Sequence, residues 1–103
     1  MPEQLLEQIK QSTEYQLNKK ILNEKIQTDL HFAHNGGLFK VTPSLIGFVS
    51  AWPENVELFI QDVYENPIKV DRVEFLQLCI QHYQLVMNAW HIEHEKLKRA
   101  RKI

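Results

Sequence analysis

From Asp71 to Ile103 the chain contains no glycine and no proline. Within this stretch Val73, Leu76, Ile80, Tyr83, Met87, Trp90, His94 and Leu97 follow one another at steps of 3, 4, 3, 4, 3, 4 and 3. Residues spaced in this way share one side of an α-helix, so the segment predicts one long helix with an apolar seam. Cys79 and Val86 broaden the seam on one flank. Asp71 followed by Glu74 resembles a capping box with Asp as the cap, and marks the helix start. At ~1.5 Å per residue such a helix spans ~45 Å. A globule of 103 residues is only about 35 Å across. The helix must therefore overhang the body, yet its seam continues to Trp90 and Leu97. Tryptophan and leucine left exposed at helical spacing make an adhesive patch. Either the N-terminal segment folds back over that patch or a second copy of the chain packs on it, and the sequence leans towards the second copy.

That lean comes from the N-terminal segment itself. Pro2 and Glu3 suit a first helical turn. Helix-compatible sequence then runs to about Gln27, but Leu5, Leu6, Ile9, Tyr15, Leu17, Ile21, Leu22 and Ile26 do not form one clean stripe. At 100° per residue, the early set and the set after Tyr15 point in different directions. The pattern fits either one helix that changes packing partner or two short helices.

The middle of the chain carries the turn signals. Asn35-Gly36-Gly37, between His31–His34 and Leu38–Val41, accepts the positive φ values of a tight primed turn and predicts a β-hairpin. Thr42-Pro43 reads as a helix N-cap with proline at the first helical position, opening a short helix that ends before Pro53. Val56–Gln61 is rich in β-branched and aromatic residues and reads as a strand. Tyr64–Pro67 is a turn and Ile68–Val70 a return strand. The expected fold class is therefore α+β. The two hairpins form a small antiparallel sheet, packed with an N-terminal helix, a short middle helix and a long C-terminal helix, in a single domain spanning 1–103.

Composition excludes several function classes. Hydrophobic residues are 44% and charged residues 24%, ordinary for a globular chain. The net charge of -1 creates no global field towards DNA or anionic lipid. The lone Cys79 forms no intrachain disulfide and fits a reducing compartment. The longest near-continuous apolar run, Leu45–Trp52, is far short of the ~20 residues a membrane span needs. The expected location is the cytoplasm.

No constellation of catalytic residues stands out. His31 and His34, three apart in a strand, point to opposite faces. His91 and His94 are neighbours on the long helix, but two ligands do not make a zinc site. Cys79 and His94 lie roughly 22 Å apart along that helix, so Cys79 and His82 cannot converge with His91 and His94 on one ion. Cys79 on the flank of the seam suits an inert core thiol. Asp62, Glu65 and Asp71 flank the second hairpin in turn and cap positions. No metal, cofactor or catalytic residue is expected. The one shaped charge feature is Lys96, Lys98, Arg99, Arg101 and Lys102. It is first a favourable helix C-terminus, and otherwise a contact for an anion or nucleic acid, diluted by Glu93 and Glu95.

The stretches Gly37–Phe48 (Gly-Leu-Phe-Lys-Val-Thr-Pro-Ser-Leu-Ile-Gly-Phe) and Asp62–Asp71, continuing to Trp90–Arg101, resemble small uncharacterised proteins of tailed bacteriophages that infect marine cyanobacteria. The resemblance covers about two-thirds of the chain, misses the N-terminal helix and transfers no catalytic residue. It implies a phage-encoded accessory or virion-associated protein working in a bacterial host cell. The expected function is a non-enzymatic protein-interaction module, a phage-type structural or assembly accessory that self-associates, as a dimer in the first instance. The interface residues would be Ile80, Tyr83, Met87, Trp90, His94 and Leu97. A phage or host protein is the other partner class. The alternative is a small nucleic-acid-binding regulator using the basic C-terminal end.

Overall fold

A computed structural model of the chain describes residues 3–100, so Pro2, Arg101 and Lys102 lie outside the described residues. The order is α1 (Glu3–Asp29), β1 (His31–His34), β2 (Gly37–Lys40), α2 (Pro43–Ala51), β3 (Leu58–Gln61), β4 (Pro67–Val70) and α3 (Arg72–Ala100). This is the α+β arrangement expected, with the N-terminal segment resolved as one long helix.

Local signals place the boundaries. The Asn35-Gly36 turn has φ values of 50° and 81°, and it pairs β1 with β2 in register His31↔Lys40 to His34↔Gly37. The Thr42 hydroxyl accepts from the Leu45 N–H at 3.1 Å, which satisfies an orphan donor at the start of α2. Asp71 does the same for α3 by accepting from the Glu74 N–H at 3.1 Å. Arg72 then turns back and donates to the Val49 and Ser50 carbonyls at the C-terminus of α2, at 3.2 and 2.8 Å. A cation at that helix end complements its partial negative charge.

The hairpins do not merge into one sheet, which corrects the expectation of a single four-stranded layer. They form two separate two-stranded sheets. The reason lies at Asp62, just after β3. Its backbone turns away to close the second hairpin, and its buried carboxylate accepts from three backbone N–H groups: Asn66 at 2.9 Å, Tyr64 at 3.0 Å and Leu38 at 3.1 Å. The Val63 N–H also donates to the Leu38 carbonyl at 2.8 Å. Both main-chain groups of Leu38 that face the second hairpin are thus taken by a turn, leaving no ladder to extend. Gly37 completes the junction: a Cβ there would meet Ile68 Cγ1 at 2.7 Å, so only glycine lets the hairpins approach so closely.

Two apolar clusters hold the chain together. The larger joins Phe39 and Val41, Val49 of α2, Leu58, Ile60 and Val70 of the second hairpin, and Phe75 and Cys79 of α3. Phe39 and Phe75 meet edge to face with centroids 4.9 Å apart. The smaller joins Ile26 and Leu30 to Val86, with Leu22, Tyr83, Met87 and Trp90 packed against it. Tyr83 touches both clusters. The first cluster makes a body, and the second makes an antiparallel two-helix stalk of α1 and α3. The stalk explains dimensions of 68 × 23 × 18 Å and a radius of gyration of 19.3 Å. A compact chain of this size would give ~13 Å.

Candidate interaction surface

The buried face of α3 differs from the seam read in the sequence. Phe75, Cys79 and Val86 are its buried residues, whereas Val73 and Ile80 are 54% and 48% exposed. The helix is rotated towards the Cys79–Val86 flank because Phe75 fills the space between the first hairpin and α3. Phe75 is among the largest fully buried side chains. Of the expected interface set, Ile80 therefore faces outward, while Tyr83, Met87 and Trp90 pack on the smaller cluster beside Leu22 and Ile26 of α1. His94 stacks on Trp90 with centroids 5.4 Å apart, and Leu97 lies beside Tyr15 and Asn18 of α1. Within the chain, α1 takes the place that a second copy was expected to fill over Tyr83, Met87 and Trp90.

A different set of apolar residues is left open, or, at Leu78, half-buried. Leu78, Leu85 and Ile92 repeat every seven residues on α3, roughly a third of a turn from its buried face. Leu85 is 67% and Ile92 56% exposed. On α1, Tyr15, Leu22 and Ile26 face α3, while Leu6, Ile9, Leu17 and Ile21, with Thr13 between them, lie away from that face at steps of three or four, Ile21 bordering the groove lined by Glu93, Lys96 and Leu97 of α3. Those four are 52%, 50%, 56% and 55% exposed. The unclean N-terminal stripe is thus two stripes on different sides of one helix. Among the described residues only one of these two faces is covered, by α3. The periodicity of both outer stripes was present in the sequence, but the stronger Val73–Leu97 spacing masked them.

The histidines have structural work. A carbonyl oxygen only accepts, so each imidazole facing one presents an N–H. His31 Nδ1 donates to the Gln27 and Thr28 carbonyls at 3.0 and 3.1 Å, and His82 Nε2 to the Asp29 carbonyl at 2.7 Å. Together they cap the C-terminus of α1, whose last turn has no basic residue of its own. His34 lies against Phe75 and Phe32, with centroids 5.6 and 6.4 Å away. Among the described residues no group of three or more His, Cys, Asp or Glu is placed to hold a metal ion. Burial pushes the Cys79 thiol up to about 11, so it stays protonated near neutral pH and is a poor nucleophile.

The open cleft beside the second hairpin is lined by Glu54 and by four charged groups already engaged. Glu57 pairs with Lys69 at 2.7 Å, Asp71 caps α3, and Arg72 holds α2. At the basic end of α3, Lys96 pairs with Glu93 at 3.2 Å and Lys98 with Glu95 at 3.8 Å, which reduces the charge offered to an anion. Arg99 is exposed. No described helix is long and apolar enough to cross a membrane. Comparison with protein-family models, with curated proteins and with solved structures finds no match.

Proposed function

We propose that this chain is a non-enzymatic protein-interaction module that self-associates through its long C-terminal helix. The supporting observation is the exposure of Leu85 and Ile92, which continue a seven-residue spacing from half-buried Leu78 on a helix whose Phe75–Val86 face is already filled. The reading moves the contact from the Tyr83–Trp90 face to this outer stripe, because α1 occupies the former. The likeness to small phage proteins gives the setting: an accessory or assembly protein in a bacterial cytoplasm or on a virion. Stable interfaces bury about 800 Å² on each partner around a few apolar anchors, and a straight helical stripe offers such a row of anchors. Light scattering across a concentration series tests the proposal. Wild-type protein should run above 12.2 kDa, and Leu85→Glu with Ile92→Glu should lower the mass without loss of helicity. An unchanged mass would remove α3 as the contact.

A further inference from the structure

The tip of the first hairpin joins a reactive side chain to the contact between the two hairpins. We propose that Asn35 is a site of spontaneous deamidation, and that its conversion unfastens the first hairpin from the second. Two features of the turn carry the proposal, and neither depends on the apolar stripes of α1 or α3.

The first is an open backbone nitrogen next to the amide. In the reaction the Gly36 nitrogen gives up its proton and bonds to Asn35 Cγ, the Cγ–Nδ2 bond breaks, and Nδ2 leaves as ammonia. Water then opens the five-membered imide. Cleavage of the bond from the nitrogen to Cγ leaves aspartate. Cleavage of its bond to the Asn35 carbonyl carbon leaves isoaspartate, with the chain running through Cγ. Asn35 and Gly36 are both exposed, and a Cβ on Gly36 would have nothing within 4 Å, so the nitrogen is unshielded. Among the described residues no backbone carbonyl is recorded as accepting from the Gly36 N–H. The other asparagines lack this setting. Asn18, Asn23 and Asn88 sit inside helices, where the next N–H is bound along the helix. The Val56 N–H after Asn55 donates to the Glu54 carbonyl, and Pro67 after Asn66 has no N–H.

The second is the position of the amide at the hairpin junction. Asn35 Nδ2 donates to the Lys69 carbonyl at 3.2 Å and so ties the first hairpin to β4. This bond is exposed and at the long end of the usual range, so it is a weak brake on the side chain's turn towards Gly36. A carboxylate in place of the amide has no proton to donate and sets an oxygen against that carbonyl. It also adds negative charge to a cleft that already holds Glu54, Glu57 and Asp71. The cations there, Lys69 and Arg72, are engaged by Glu57 and by the α2 carbonyls. Isoaspartate lengthens the backbone of a turn held at φ values of 50° and 81°. The next residue is Gly37, where the hairpins pack too closely for a Cβ.

Ageing the full chain at mildly alkaline pH tests this, because the attacking nitrogen must lose its proton. A more acidic species should accumulate on ion exchange, with release of ammonia, and peptide mapping should place aspartate and isoaspartate at position 35. Asn35→Gly suits the turn and has no amide to lose, so it should form no such species under the same conditions. The aged species, separated from its parent, should melt at lower temperature than unaged wild type. It should also melt below Asn35→Gly, which lacks the Lys69 bond but gains no charge and no extra backbone carbon. The Val63 N–H, which donates to the Leu38 carbonyl across the junction, should exchange faster in the aged species. No acidic species, or one whose change maps to another residue, overturns the proposal at the site. Deamidation at Asn35 with melting and exchange unchanged overturns its link to the hairpin junction.

Discussion

Asp62 carries more of the tertiary structure than any other polar residue described here. Three backbone N–H groups point at its carboxylate, two within its own turn and one from β2. The Asn66 N–H is foremost in holding its carboxyl below the ordinary value of 3.8; burial pushes the other way, and the Leu38 and Tyr64 N–H groups add to the lowering. Because the folded value is depressed, the ionised carboxylate stabilises the fold above pH 3.8. That contribution is lost as pH falls through the lowered folded value. Asp62→Asn should therefore unfold at clearly lower temperature than wild type at pH 7, and the gap should narrow as the pH approaches about 3. Thermal melts across that range check it; a gap independent of pH would mean that the oxygen's shape, not its charge, matters. Glu65 is the other residue under local constraint, with φ of 66° and a Cβ that disfavours it. Glu65→Asn should stabilise by about 0.5–1 kcal/mol, read as a higher denaturant midpoint at unchanged slope.

At the scale of elements, the body and the stalk rest on different amounts of packing. Phe75→Ala removes a fully buried ring from the larger cluster and should cost about 3–5 kcal/mol, enough to threaten the whole fold. Trp90 is only half-buried and belongs to the smaller cluster. Trp90→Ala should loosen α1 from the distal half of α3 while the hairpins persist. Hydrogen exchange would read this as faster exchange along α1, with protection retained at Phe39, Ile60 and Phe75. Equal loss of protection in the hairpins would mean that stalk and body unfold as one unit. His82 joins the two, since it sits on α3 and holds the last carbonyl of α1. The element boundaries themselves were legible from Asn35-Gly36, Thr42-Pro43 and Asp71, because turns and caps act over a few residues.

For the whole molecule the outcome is a long particle. Its 68 Å length comes from α1 and α3 running side by side beyond the body.

The sequence by itself determined the α+β class, both hairpins, the helix starts at Thr42 and Asp71, and the overhang of the last helix. Each follows from short-range rules: glycine at positive φ, a side-chain oxygen on an orphan N–H, and helical length set against chain length. Only the tertiary structure decided which face of α3 is buried, that the hairpins stay apart at Leu38 and Asp62, and that α1 covers Tyr83, Met87 and Trp90. Helices with apolar residues over more than one face have several ways to pack. The choice between them depends on partners far away in the chain: Phe75 against the first hairpin, Gly37 beneath Ile68, and His82 on the end of α1.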